Sequence, residues 1–327
     1  MYQIIYQKME NKYFCTKDLV RSTVYKYGVA IVPNVLSEEE IENMRDGMFE
    51  YLEYITKNFE VPIDRNDPST YKEFFKILPN RGMLMQFWQI GHAQFVWNLR
   101  QNPKIAEIFA KIWYCTPEEL LVSFDGASFH FPPEITKRGK FREFWYHTDQ
   151  SYMRPDFECI QSWVTAYDVN DGDATLVFIE GSNRYHEQFA RDNQVINKSD
   201  WNPLSDDDLK YYTEYHKLPE KKIICPAGSM VFWDSRTIHC GVQSVSNRAQ
   251  HNFRNVVYIC MTPREWATEA TLEKKQDALE EMRMTNHWAH RPKLFPKYPH
   301  TYGDTLPDID NIPPPKLTEL GKKLAGY

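Results

Sequence analysis

From about Leu120 to Met261 the chain is a succession of short runs: "LLVSFDGASFHF", "CIQSWVTAYDV", "ATLVFIEGS", "KKIICPAGSMVFWDS" and "FRNVVYICM". Val, Ile, Phe, Tyr and Trp dominate them, and turn residues such as "NDGD" and "PAG" separate them. Such residues fit a pleated, half-buried surface, so each run reads as a strand. Strands that follow one another without intervening helices predict an antiparallel two-sheet sandwich or barrel.

Helices are expected on either side of this core. The first 118 residues read as mainly helical around one short strand, Val29 to Val32, entered through Gly28. Ser37 with Glu40 three residues later is a capping-box signature, and Ile41, Met44, Met48 and Leu52 then recur at helical spacing. A second helix is expected over Pro103 to Trp113, with Ile105, Ile108, Phe109 and Ile112 on one stripe. Within the core region, 119–264, residues 187–221 are polar and read as a surface excursion with a short helix after Ser205. Residues 265–327 predict a helix from about Glu265 to Met284, then a proline-rich extended wrap. The simplest organisation is one catalytic domain over 1–327.

A formal charge of −6 and a pI near 6.0 argue against general binding to nucleic acid. No stretch approaches a membrane-spanning helix, and "MYQIIYQKMENKYF" carries no secretory pattern. The 6 cysteines are scattered without a C-x-x-C pair, which suits reduced thiols and a cytoplasmic setting. A small-molecule substrate is the expected partner, while the oligomeric state is not written in the sequence.

The chemistry centres on "FREFWYHTDQSYMRP". His147 and Asp149 are two residues apart, so on a strand they share a face. Chance supplies a His-x-acid triplet in a chain with 10 His and 45 Asp plus Glu, so the pair alone decides nothing. A third candidate, His239, follows the strand expected at Ser229 to Trp233. Two histidines and one carboxylate with open positions are the ligand set of non-haem Fe(II) oxygenases; a lone histidine is more often a satisfied core or surface residue. Downstream, "NFRNVVYICM" places Arg254 on a strand face with Val256 and Tyr258, where a buried guanidinium requires an anion. Arg248, in "SVSNRAQ", competes for that role.

The ordered set "GVAIVPNVLSEEEIENM", "HTD", "SWVTAYDVNDGDATLVFIEGSNRYH", "PAGSMVFWDSRTIHCG" and "FRNVVYICM" resembles the phytanoyl-CoA dioxygenase family of Fe(II)/2-oxoglutarate oxygenases. The resemblance runs from about residue 17 to 262. It implies a double-stranded β-helix, the jelly-roll or cupin-like fold, with peripheral helices. It also implies His147, Asp149 and His239 as iron ligands, and Arg254 as the partner of the distal carboxylate of 2-oxoglutarate. Trp163 falls at the family's tryptophan near the co-substrate, on a face shared with Gln161 and Thr165. The implied cofactor is Fe(II), with 2-oxoglutarate and O₂ as co-substrates, and the implied outcome is hydroxylation of a small organic or acyl-type substrate with release of succinate and CO₂. A non-catalytic binding protein, or a desaturase, epimerase or halogenase outcome, is the alternative. Two departures stand out: "HFPPE" lacks a lysine before Pro-Pro, and Gly241 stands where some members have serine.

Trp145, Tyr152, Arg154 and Arg142, which surround the metal motif, are the candidate substrate residues. The basic run "TKRGKFR" either holds an anionic substrate or is a solvated loop, the commoner fate of a charge run. His287 and His290 in "NHWAHRP" have metal-like spacing but no third partner in sequence, and read as incidental.

Overall fold

The computed structural model describes residues 9–138, 144–245, 248 and 250–327. Among these residues the strands are β1 (Val29–Val32), β2 (Leu84–Met85), β3 (Leu120–Val122), β4 (Ala127–His130), β5 (His147–Thr148), β6 (Ile160–Thr165) and β7 (Thr175–Ile179). They continue with β8 (Asn202–Pro203), β9 (Glu220–Lys222), β10 (Met230–Asp234), β11 (His239–Val242), β12 (Arg254–Tyr258) and β13 (Met261–Pro263). A major sheet has the order β1-β10-β6-β12-β4-β2, and a minor sheet β8-β5-β11-β7-β9. Every pairing between named strands is antiparallel.

Along the chain β4, β5, β6 and β7, then β10, β11 and β12, alternate between the two sheets. That winding is a jelly roll, the double-stranded β-helix expected from the sequence. Its interior is where alternate residues of facing strands meet. Val29, Ile31, Trp163, Val231, Trp233 and Val256 of the major sheet pack there against Leu176 and Phe178 of the minor one.

The outer face of the major sheet, with Phe129, Ile160, Val164, Met230, Phe232 and Val257, is covered by the helices. Helix Glu38–Ile55 starts at the expected capping box: Ser37 N donates to Glu40 Oε2 at 2.7 Å, and Glu40 N to Ser37 Oγ at 3.3 Å. It buries Ile41, Met44, Met48, Leu52 and Ile55. Gly47 lets a second helix, Gln94–Arg100, come close: a Cβ there would lie 2.3 Å from Phe95 Cβ. Helix Pro103–Trp113 forms with the expected bounds, capped by the side chain of Asn102. The turn before β10 needs Gly228, which sits at φ +74 against Leu36 and Ile41.

Three parts differ from expectation. Residues 187–221 do not simply cross the surface: Asn202–Pro203 pairs with β5 and the strand Glu220–Lys222 with β7, extending the minor sheet at both edges. The late helix is shorter than predicted, Glu269–Glu280, because Thr268 caps its start. A further helix, Glu319–Ala325, capped by Thr318, follows the proline-rich segment. No helix among the described residues is long and apolar enough to cross a membrane.

Candidate metal centre

β11 lies between β5 and β7, and its register sets His239 directly opposite His147 on one side and Phe178 on the other. The imidazole rings are 4.4 Å apart. His147 Nδ1 is 2.9 Å from the Trp145 carbonyl and His239 Nδ1 is 2.8 Å from the Thr237 carbonyl. A carbonyl can only accept, so both Nδ1 atoms carry the proton, and each ring in its neutral form presents an Nε2 lone pair. Asp149 lies just past β5, its N–H donating to the Ser235 carbonyl at 2.8 Å. Its Oδ2 is 3.5 Å from His147 Nε2 and 3.3 Å from His239 Nε2.

These spacings suit a shared ion. Adjacent ligands at about 2.0–2.2 Å from a metal stand roughly 3 Å apart, and the three donor atoms lie within 4.8 Å of one another. The protonation states suit it too. Burial alone would raise the Asp149 pKa, but the two histidines outweigh it and hold the carboxyl well below its usual range. Burial, reinforced by His147, lowers the His239 pKa and favours the neutral ring. Gln161, on β6, donates from Nε2 to Asp149 Oδ2 at 2.9 Å, and Ser235 Oγ is 3.2 Å from the same nitrogen. Gln161 therefore orients the carboxylate.

Arg254 opens β12 with its side chain in the interior, 4% exposed. Its Nε donates to Ser128 Oγ at 3.1 Å and its guanidinium to the Ala174 carbonyl at 3.2 Å. The Trp163 ring lies 5.3 Å from it, and the Tyr258 hydroxyl sits beside both Arg254 and Ser128. No carboxylate among the described residues pairs with Arg254, and burial lowers its pKa. Nearby, the buried indole N–H groups of Trp163 and Trp233 also have no hydrogen-bond partner among those residues. A cation and two donors left over in a protein interior are a cradle for an acidic ligand. Arg248 is different: Asp173 at 2.7 Å and Glu134 at 3.1 Å fill its fork.

Comparison with known proteins shows the family. The family model described as phytanoyl-CoA dioxygenase matches residues 24–255. The chain belongs to the phytanoyl-CoA dioxygenase family. It is thereby a member of the non-haem iron, 2-oxoglutarate-dependent oxygenases. A similar curated protein is "Ava biosynthesis cluster protein O" of Aspergillus versicolor, 28% identical over 278 residues, covering 83% of this chain and 86% of that protein. Among solved structures, a candidate oxidoreductase of Salmonella typhimurium LT2 superposes with a TM-score of 0.61 at 15% identity, over 96% of this chain and 86% of that one. A hypothetical protein of Escherichia coli gives a TM-score of 0.57 at 13% identity, over 96% and 85% of the two chains.

The remaining candidates of this dioxygenase-family chain are placed as follows. Trp145 stacks on His147, 4.5 Å between centroids and 10° from parallel, and the Arg81 guanidinium lies 4.1 Å from the Trp145 ring centroid. Tyr152 turns away from the metal residues: it packs behind the minor sheet with Val177 and Cys240 and stacks on His186 at 4.4 Å. Arg154 is bound by Glu158 and Asp200, so its charge is already matched. Arg142 and Lys140 lie outside the described residues.

Several site residues escaped the sequence reading: Ser128, Ser235, Trp201 and His287. Trp201, from the region read as a surface excursion, reaches to 6.2 Å from the His147 ring. His287, read as incidental, bonds the Asp149 carbonyl at 3.1 Å. Only for Ser128 was there a sequence signal, the alternation in "GASFHF" that turns it and His130 to the same face as Arg254.

Proposed function

We propose that this chain binds Fe(II) through His147, Asp149 and His239, holds 2-oxoglutarate through Arg254, and hydroxylates a C–H bond of a small organic substrate. One observation carries the reading: two Nε2 atoms and an ionised carboxylate converge in an interior that also holds an arginine with no carboxylate partner among the described residues.

The roles follow from the contacts. His147 and His239 present lone pairs because their Nδ1 protons are committed to backbone carbonyls. Gln161 keeps the Asp149 carboxylate turned toward them. Arg254 would neutralise the far carboxylate of 2-oxoglutarate in a water-poor setting, where a bidentate pair is strong. The Trp163 N–H would give that acid a further donor, and Ser128 steers the guanidinium. When bound, iron and O₂ supply the oxidising chemistry, in which 2-oxoglutarate is converted to succinate and CO₂. With a carboxylate at position 149, the place a halide would take is filled, which favours hydroxylation over halogenation.

Substrate would lie against Trp201 and the edge of Trp145, whose ring already stacks on His147 and carries the Arg81 guanidinium. Flat or apolar molecules suit such walls. Arg154 is matched by two acids and offers little to an acyl-CoA or phosphate. The Aspergillus relative's name refers to a biosynthesis cluster, and a small biosynthetic intermediate fits this chain equally.

The test is direct. Melting curves under argon with Mn(II), then with Mn(II) and 2-oxoglutarate, should each rise, as a ligand of the native state requires. Fe(II), 2-oxoglutarate and air should then yield succinate, absent in His147→Ala. A protein that neither binds nor consumes 2-oxoglutarate would sink the proposal.

A further inference from the structure

We infer that His287, from the C-terminal segment, is a positioning residue of the metal centre: it holds the main chain of Asp149 and couples docking of that segment to metal binding. The inference rests on Asp149 being a metal ligand, as proposed above.

β5 is only two residues long and ends at Thr148. Asp149 therefore leaves the ladder, and its main-chain groups must find partners elsewhere. Its N–H goes to the Ser235 carbonyl at 2.8 Å. Its carbonyl accepts from His287 Nε2 at 3.1 Å. Its carboxylate accepts from Gln161 at 2.9 Å. Three distant parts of the chain thus fix one ligand: Gln161 on β6, Ser235 in the turn after β10, and His287 in the C-terminal segment.

The segment bearing His287 is itself anchored next to the site. Thr285 N donates to the Phe124 carbonyl at 3.0 Å, and Phe124 N donates back to Thr285 Oγ1 at 2.9 Å. Asn286 N reaches the Lys293 carbonyl at 3.0 Å and closes the turn that carries His287. Trp288, 1% exposed, lies beneath the Arg154 guanidinium at 4.3 Å. The segment 285–293 therefore meets the ligand loop at Asp149 and again at Arg154. Without the His287 donor the Asp149 carbonyl loses its partner, and the backbone that carries the carboxylate is held less firmly.

Outer partners of metal ligands carry roughly 10–100-fold of metal affinity. Binding linkage is reciprocal, so metal must also tighten the segment. Two variants of similar bulk separate donor from packing: His287→Gln keeps an N–H at nearly the Nε2 position, and His287→Met removes it. Full-length proteins are titrated with Mn(II) alone, and free Mn(II) is read by its paramagnetic resonance. His287→Met should bind about 10-fold more weakly than wild type, and His287→Gln within about 3-fold. Hydrogen exchange of amides 285–290 should slow on adding Mn(II) to the wild type and not to His287→Met, with helix Glu38–Ile55 unchanged in both. Equal Mn(II) affinity in wild type and His287→Met, or a Gln variant as weak as Met, overturns the positioning role while leaving the metal site intact. A wild type that binds no Mn(II) overturns the metal reading itself, and this inference with it.

Discussion

His147 and His239 face each other across the β5–β11 ladder, and each donates its Nδ1 proton to the carbonyl two residues before it, at 2.9 and 2.8 Å. The same local device, used on two neighbouring strands, sets both tautomers. It leaves two lone pairs directed at one point beside Asp149. Ligand identity is a property of residue type, but ligand readiness is a property of these two carbonyls.

Gln161 should matter to metal and not to folding. Gln161→Leu removes the donor to Asp149 Oδ2 while filling similar space. Mn(II) affinity is expected to drop about 10-fold, with little change in the metal-free melting temperature. Isothermal titration alongside melting curves reads both.

Arg254→Met should act with opposite signs on binding and stability. Removing one partner of a buried, hydrogen-bonded charge pair costs about 2–5 kcal/mol of affinity, so 2-oxoglutarate binding to the Mn(II) protein should weaken by at least roughly 30-fold. The metal-free, ligand-free protein meanwhile loses a buried guanidinium that no carboxylate among the described residues matches, and its melting point should hold or rise. A ligand-free Arg254→Met that melts well below wild type contradicts this view of the interior.

Lys275 makes stability rise with pH on the alkaline side. It is fully buried, donates to the Val122 carbonyl at 2.6 Å, and burial, aided by Arg100 and Arg264, lowers its pKa to about 7. An unfolded lysine titrates near 10.4, so between about 7 and 10 the unfolded chain holds the extra proton and stability climbs with pH. The limit is about 1.4 kcal/mol per pH unit. The urea-unfolding stability of the wild type relative to Lys275→Met should therefore grow from pH 7 to 9.

His92 and His290 contribute to the acid limb, together with His186, whose pKa burial lowers to about 4. Burial lowers the pKa values of His92 and His290 to about 3 and about 4, below the value near 6.5 of an unfolded histidine. Their contribution is complete above about pH 6.5 and is withdrawn as pH falls toward those folded values, by up to about 1.4 kcal/mol per unit for each. His92 Nε2 lies 2.9 Å from the Arg283 carbonyl, so His92→Gln, which can keep a donor there, should flatten the loss between pH 6 and 4.5. An unchanged slope in urea unfolding would exclude this account.

The sequence by itself determined what depends on near neighbours. Ser37 and Glu40 start a helix because the capping box closes within four residues. Alternating apolar residues made strands of the core runs, and a candidate metal triad and two competing arginines could be named from the motifs and their order. Tertiary structure decided everything carried by distant partners. Arg248 and Arg254 look alike in sequence, and only folding brings Asp173 and Glu134, 75 and 114 residues away, onto Arg248 and leaves Arg254 without an acid among the described residues. Tyr152 belonged to the motif by position but fell behind the minor sheet, because the chain turns outward after Asp149. His287, 138 residues from Asp149, came to the metal centre through two hydrogen bonds between Thr285 and Phe124. Caps and alternation are encoded within a few residues, whereas pairing a charge or satisfying a buried carbonyl requires a partner that chain order does not bring close.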